Sequence, residues 1–556
     1  MSSADVWTDP GHVAAYRRRV FAERERLRAA FADPAGEQRR VLADLVRHNA
    51  ATAFGAAHDL AKVKTLAEFK KAVPIGGYAE HRPWIERAAA GEHNVLSADQ
   101  PRVYFTSSGS TGAHKKIPVT PGFMRTTFLP FYLAAWAPLI ECFPEVLDRP
   151  DAVLNLKHDP LSAPPTVGSG RPHVGASQVD FGELFGEPLS AEPGTSAPWA
   201  TLPVPVEAGA HVDKMYLRLR LAVESDVRLV IGINPAMVAA LPYQLRLWWP
   251  KILQEIRDGT VGGRPYVAPN PARAAELERL GARRGTIRPA DVWPNMRALF
   301  CWTTGLATLY LPRLREEFGV GVTVLPAPVA ASEGPVGVAL DRHPSAGSLI
   351  VNACVYEFVD VDSDLGPEVS TMELGELEPG REYHVIFSHI GGLYRYAVGD
   401  VVRVVDRVGG VPRVEYAGRS TLSDAAGERL RDAQVIRALS AATAATGLEL
   451  TNAACRVDDA PGYRFALAPQ CDNWTPAELN LFTALLDDAL CRESAGYRTA
   501  RAENRLARAT SLLLDGDAFQ RDWQSAVAEG VRPTQVKDKL FRQDPGLWQR
   551  LTKEEA

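Results

Sequence analysis

Thr106-Ser107-Ser108-Gly109-Ser110-Thr111-Gly112-Ala113-His114-Lys115-Lys116 follows directly on an apolar strand pattern at residues 102–105. Hydroxyls and glycines are dense here, and two lysines close the stretch. A polyphosphate needs donors at short range and a backbone able to come near it. Gly109 and Gly112 allow that approach, consecutive N–H groups can curl into an anion nest, and the hydroxyls of Ser107, Ser108, Ser110 and Thr111 add donors. Lys115 or Lys116 offsets the negative charge. The spacing is not that of a Walker A loop, because His114 stands where a second glycine is required. The plain alternative is a polar turn ahead of an ordinary helix. Hydroxyls, glycines and lysines directly after a strand favour the phosphate loop.

Outward from this loop the patterning is that of a mixed chain. Residues 13–31 and 38–49 carry apolar stripes at helical spacing. Residues 160–198, rich in Pro, Gly and Ser, predict irregular surface. Helices are expected at 215–222 and from Asn234-Pro235 to about residue 257, with a strand at 227–233 before the second. Strands at 298–302 and 322–325 flank a helix at 309–318, and further strands are expected at 349–356, 382–388 and 401–405. This alternation predicts an α/β architecture. Beyond Arg419 the order changes to a helix at 432–447, strands at 448–457 and 463–468, and a helix at 475–493 opened by Thr475-Pro476. We therefore expect a large domain over 1–420 and a small α+β domain over 421–556, joined by a hinge at 420–424.

Composition narrows the class. At 556 residues the chain exceeds a single core, and its 46% apolar and 23% charged residues are ordinary for a globular protein. A net charge of −5, with both signs interspersed, provides no field for nucleic acid or an anionic membrane. No apolar run is long enough to span a bilayer, and the N-terminus has no apolar signal core, so a cytoplasmic protein is expected. The six cysteines are far apart and read as small buried residues in a reducing compartment. Nothing speaks to oligomeric state.

Two carboxylates stand out. Glu333, after an apolar strand and Ser332, can offer a hard oxygen to Mg²⁺; its plain alternative is a solvated loop residue. Asp400, in Leu393-Tyr394-Arg395-Tyr396-Ala397-Val398-Gly399-Asp400, can accept both ribose hydroxyls; its alternative is a Gly-Asp hairpin turn. The lack of a Gly-x-Ser-x-Gly elbow makes a serine hydrolase a poor reading.

These segments together resemble the acyl-adenylate-forming superfamily. Ser107 to Lys115 match its Ser/Thr-Ser-Gly-Ser/Thr-Thr-Gly-x-x-Lys signature position by position. Asn49 to His58, Val73-Pro74-Ile75 and Lys116-Ile117-Pro118-Val119-Thr120 resemble more narrowly the Gretchen-Hagen-type (auxin-responsive) acyl acid amido synthetases and their bacterial relatives, and a bacterial member is the expectation. The likeness weakens after about Arg431. It implies a large α/β acyl-adenylate-forming domain of β-sheets and flanking helices with a small mobile α+β domain. It implies ATP and Mg²⁺, and an acid activated as its adenylate and passed to an amine or amino acid.

Residue by residue, the resemblance implies a nucleotide site at Ser107, Ser108, Gly109, Ser110, Thr111, Gly112, Thr304, Gly305, Ser332, Glu333, Tyr394, Asp400 and Arg419. Glu333 would hold Mg²⁺, with Val329 standing where the family has Tyr. Lys115 and Lys537 are the catalytic candidates. Gln535-Val536-Lys537 matches the family's lysine segment, Asp538-Lys539-Leu540 departs from it, and Lys539 is the fallback. Gly427-Glu428-Arg429-Leu430 resembles the turn opening the small domain. Arg125, Arg218 and Thr303 are acyl-pocket candidates, with Arg220 an alternative to Arg218. Two rival functions stay open: a thioester-forming ligase using coenzyme A or a carrier protein, and a catalytically silent nucleotide-binding protein.

Overall fold

The computed structural model describes residues 6–108, 114–161, 163–202, 204–458, 461–471 and 474–553. Gly109, Ser110, Thr111 and Gly112 lie outside the described residues, and of Ser108 only the backbone is described. The chain divides into two compact units. One contains Met1–Pro150, His158–Ser196 and Leu325–Ser420; the other contains Asp151–Lys157, Ala197–Val324 and Thr421–Ala556.

The first unit opens with two helices, Pro10–Ala29 and Pro34–Asn49. Each has Asp at the N-cap and Pro in its first turn, the Asp9 and Asp33 carboxylates accepting from Gly11 and Gly36 N–H at 2.8 Å. The run containing the phosphate loop is a hairpin. Val103–Ser108 pairs antiparallel with His114–Val119, so the loop joins two strands instead of opening a helix. His173–Val174 adds a parallel third strand, so residues 160–198, predicted as irregular surface, also supply part of a sheet.

A seven-stranded sheet in this unit runs, in spatial order, Val329–Ala331, Gly334–Val338, Gly347–Leu349, Val411–Arg419, Leu393–Val408, Glu382–His389, Val355–Asp360. Two strand predictions are corrected here. The single strand expected at 349–356 is split by a turn, in which Ala353 and Cys354 N–H donate to the Ile350 carbonyl at 3.0 and 3.3 Å. The Gln38 side chain satisfies the turn from a distant helix, donating to the Val351 and Cys354 carbonyls at 2.7 and 2.8 Å. The strand expected at 401–405 is the second half of Leu393–Val408, and Gly399-Asp400 lies inside it at an irregularity, not in a hairpin turn. Gly409-Gly410, both at positive φ, takes the hairpin instead.

The second unit holds the parallel strands Val153–Asn155, Leu229–Ile231 and Ala298–Cys301. Its core includes Leu154, Val230, Leu299, Trp293 and Leu245. A second sheet of Leu450–Val457, Tyr463–Pro469 and Thr510–Leu513 buries one face under Asp432–Thr446 and Pro476–Glu493. Thr475 caps the latter helix in a reciprocal box with Glu478, as its Thr-Pro start predicts. The Gly427-Glu428-Arg429-Leu430 turn is held from within: the buried Glu428 carboxylate accepts from Ala425 and Ala426 N–H at 2.8 and 2.7 Å and from the Tyr463 hydroxyl.

Among the described residues no helix is long and apolar enough to cross a membrane. All six cysteines are free, and Cys301, Cys354 and Cys455 are buried as expected, but Cys471 is exposed. Burial pushes the Cys301 and Cys354 thiols up to about 12, which makes them unreactive.

Candidate functional site

Hairpin pairing decides which lysine faces the site. Ser107 lies opposite Lys115, and Thr106 opposite Lys116. Successive strand residues point to opposite faces. Lys115 Nζ reaches the Glu333 carboxylate at 3.0 Å, whereas Lys116 Nζ turns to Glu86 at 2.6 Å. Tyr78 supports both: its hydroxyl accepts from Lys116 N–H at 2.9 Å, and its ring lies 5.6 Å from Lys115 Nζ.

Glu333 is 4% exposed, far from the solvated loop residue of the plain reading. Besides Lys115, its carboxylate accepts from the Tyr396 hydroxyl at 3.2 Å. Its backbone carbonyl accepts from His389 Nε2 at 2.8 Å, while His389 Nδ1 accepts from Gly391 N–H at 3.1 Å, which leaves the proton on Nε2. A carboxylate at this depth is tolerable because a cation and a phenol share it. Asp400 pairs with Arg419 at 3.0 Å. Asp400 first, then Tyr416, Glu333 and Tyr396, push the Arg419 guanidinium further up. Lys115, Glu333 and Arg419, from three separate segments, thus lie within one electrostatic neighbourhood.

Tyr394 is a correction. It is wholly buried, its ring stacked on Phe54 at 4.3 Å and its hydroxyl donating to the Leu96 carbonyl, so it belongs to the core and has no surface to offer a nucleotide. The tyrosine two residues on, Tyr396, is the one that meets Glu333. Between them Arg395 adopts φ +42°, an uncommon backbone for a residue with a side chain. Its N–H donates to Ser388 Oγ at 2.7 Å, and its guanidinium grips Glu357 through two bonds of 2.9 and 2.8 Å. The Lys70 and Val73 carbonyls accept its remaining donors at 2.9 and 2.8 Å.

Residues 23–322 match the GH3 family N-terminal domain, and residues 347–419 match the GH3 family central domain. The chain belongs to the GH3 family. It is 26% identical over 439 residues to a probable indole-3-acetic acid-amido synthetase, GH3.12 of Oryza sativa subsp. japonica, covering 70% of each chain. It is 26% identical over 450 residues to the indole-3-acetic acid-amido synthetase GH3.8 of Oryza sativa subsp. indica, covering 75% of this chain and 73% of that one. Its fold is similar to a solved GH3.15 acyl acid amido synthetase, with a TM-score of 0.77 at 20% identity over 95% of this chain and 94% of that one. The α/β class and the family resemblance read from sequence both stand.

Most of the other candidates of this GH3 chain belong to the second unit. Thr303, Thr304 and Gly305 follow the strand Ala298–Cys301 and lead into the helix Ala307–Phe318. Thr303 is buried. Gly305, at φ +69°, lends its carbonyl to Thr308 Oγ1 at 2.8 Å. Lys537 Nζ lies 5.0 Å over the ring of Trp302, so the lysine segment and this loop meet. Arg218 is buried on the helix His211–Ala222. Arg220, its alternative, is corrected: it is fully buried and committed to Glu224 at 2.5 Å and to the Thr260 and Glu255 carbonyls at 3.1 and 2.9 Å. In the first unit, Arg125 is exposed on the widened helical turn Met124–Phe128. Ser332 is half-buried beside Glu333.

His389 and Tyr78 went unread in the sequence. A lone histidine at a strand end has no local signature, because its partner lies 56 residues away along the chain. Burial pulls the His389 imidazole down to about 4 from an ordinary 6.5. Between those values the unfolded chain binds a proton that the native chain refuses. Stability conferred by keeping this ring neutral is therefore whole above pH 6.5 and is lost as pH falls to 4, by about 3 kcal/mol in all. His81, also lowered by burial, acts in the same direction. Urea midpoints between pH 7 and 4.5 should fall accordingly, and His389→Gln should flatten part of the slope. An unchanged slope in that variant would remove His389 as a source.

Proposed function

We propose that this GH3 chain is an ATP-dependent acyl acid amido synthetase: it adenylates a carboxylic acid, releasing pyrophosphate, and transfers the acyl group to an amine or amino acid. The observation that carries the proposal is the gathering of Lys115, Tyr396 and Arg419 about the buried Glu333 carboxylate. The named relatives are amide-forming ligases, and that supports an amine acceptor over the thioester-forming and silent alternatives.

In the first half-reaction the acid's carboxylate oxygen attacks the α-phosphorus of ATP, and the bond to pyrophosphate breaks. An anion attacking an anion needs fixed positive charge close by. Lys115, beside the phosphate loop, and Arg419 supply it in the first unit, and Lys537 is the catalytic lysine of the second. Asp400 accepts from the ribose hydroxyls, and Thr304-Gly305 borders the base. Glu333 would hold Mg²⁺, which when bound neutralises phosphate oxygens. A single protein carboxylate suits that ion, whose other positions go to water and phosphate, and no cluster of three or more metal-ligating side chains occurs among the described residues.

In the second half-reaction the amine nitrogen attacks the acyl carbon, loses a proton, and AMP leaves. Residues 421–556 act as a mobile lid on a hinge at 420–424, keeping water from the adenylate. Arg125, Arg218 and Thr303 border the acid. Six unpaired cysteines fit the reducing cytoplasm, where ATP is supplied.

The test is acid-dependent pyrophosphate release from ATP and Mg²⁺ over a panel of acids, with mass spectrometry of products formed with an amine library. No release with any acid would end the proposal, and thioester as the sole product with coenzyme A would replace it. Asp400→Ala removes charge-assisted bonds worth about 1.5–3 kcal/mol each, so the ATP KM should rise roughly tenfold or more. An unaltered ATP titration would remove Asp400 from the ribose.

A further inference from the structure

Asp538 departs from the family pattern, and its surroundings in the second unit are elaborate. Its Oδ2 accepts from the Tyr310 hydroxyl at 2.8 Å and its Oδ1 from Asn452 Nδ2 at 3.1 Å. Tyr310 is a buried residue of the helix Ala307–Phe318, and Asn452 a buried residue of the strand Leu450–Val457. On the other side of Lys537, the Val536 carbonyl accepts from Asn234 Nδ2 at 2.8 Å and Trp523 Nε1 at 3.1 Å. Downstream, Cys455 N–H donates to the Leu540 carbonyl at 2.7 Å and Arg542 N–H to the Cys455 carbonyl at 2.8 Å. The backbone is therefore tied down immediately before and after Lys537.

We propose that Asp538 is a positioning residue for Lys537: by tying its segment to Tyr310 and Asn452, it fixes the lysine over Trp302 for adenylation. The inference rests on the reading of Lys537 given above. Asp538 is half-buried, and withdrawing a carboxyl from water is costly: desolvation raises that of Asp538 despite both hydrogen bonds and the nearby Arg542 charge. An apolar residue would fill the space at lower cost but would not specify register. A carboxylate that accepts from two different elements does. Lys537 needs register, because displacement of a catalytic group by about 1 Å can cost about a hundredfold in rate.

Asp538→Ala should lower kcat for acid-dependent ATP–pyrophosphate exchange by about tenfold to a hundredfold. KM for ATP and acid, and amide formation from supplied acyl adenylate, should stay unchanged. Tyr310→Phe, and Asp538→Asn, which keeps one acceptor, should fall between that variant and wild type. Equal slowing of both half-reactions, or an effect confined to KM, would overturn the positioning role. Amide hydrogen exchange over residues 533–542, read by mass spectrometry, should quicken in Asp538→Ala and Tyr310→Phe; unchanged exchange would overturn the tether itself. Quickened exchange in a protein whose wild type releases no pyrophosphate would overturn the proposed function, and the positioning role with it, while leaving the tether in place.

Discussion

Lys537→Ala should lower acid-dependent pyrophosphate release by two to three orders of magnitude while the protein stays folded. The magnitude is that of one preorganised donor aimed at developing charge, about 3–4 kcal/mol. The fold should survive because Lys537 is an exposed side chain lying 5.0 Å over the ring of Trp302, whereas its neighbours Val536 and Asp538 carry the anchoring bonds. Pyrophosphate assay and far-ultraviolet circular dichroism check the two halves of the expectation. Release within threefold of wild type would take Lys537 out of the chemistry and turn attention to Lys539, which is also exposed.

Arg395→Ala carries the largest expected effect on stability. Arg395 and Glu357 are 3% and 1% exposed, and the pair is bidentate. Removing the guanidinium leaves a buried carboxylate to which, among the described residues, only the Thr371 hydroxyl still donates, at 2.6 Å. Breaking such a pair costs about 3–5 kcal/mol. Lysine cannot reproduce a planar fork that also feeds the Lys70 and Val73 carbonyls, so Arg395→Lys should recover little. Arg395→Met combined with Glu357→Leu should recover most of the loss, because no charge is then stranded. Urea denaturation of the three variants checks the order. The activity of Arg395→Ala should fall too, since the next residue presents its hydroxyl to Glu333.

Much of the local architecture was legible in the sequence. Thr475-Pro476 with Glu478 announces a helix start through bonds made within one turn, and Gly447 at φ +71° marks a helix end for a similarly local reason. The strand before Ser107 could be read because Val103-Tyr104-Phe105 is a short unbroken apolar run of β-forming residues. Errors arose where a distant group overrode a local pattern. Gln38 makes a turn of what reads as one strand at 349–356, and Gly409-Gly410 takes the hairpin that Gly399-Asp400 suggests.

The same division runs through the candidate site. Residue chemistry brought Glu333 and Asp400 to notice, and the family resemblance added Lys115, Arg419 and Lys537, but neither could choose Tyr396 over Tyr394 or show which lysine meets Glu333. Those choices depend on hairpin register and on the backbone of Arg395, held at φ +42° by Glu357 and Ser388. Asp538, in sequence only a departure from a family pattern, becomes an anchor once Tyr310 and Asn452 are seen around it. Local bonds and periodicity are properties of neighbours along the chain and can be read from their order. Which tyrosine is buried, which lysine meets the carboxylate and what a lone aspartate holds are decided by residues hundreds of positions apart, and only folding brings those together.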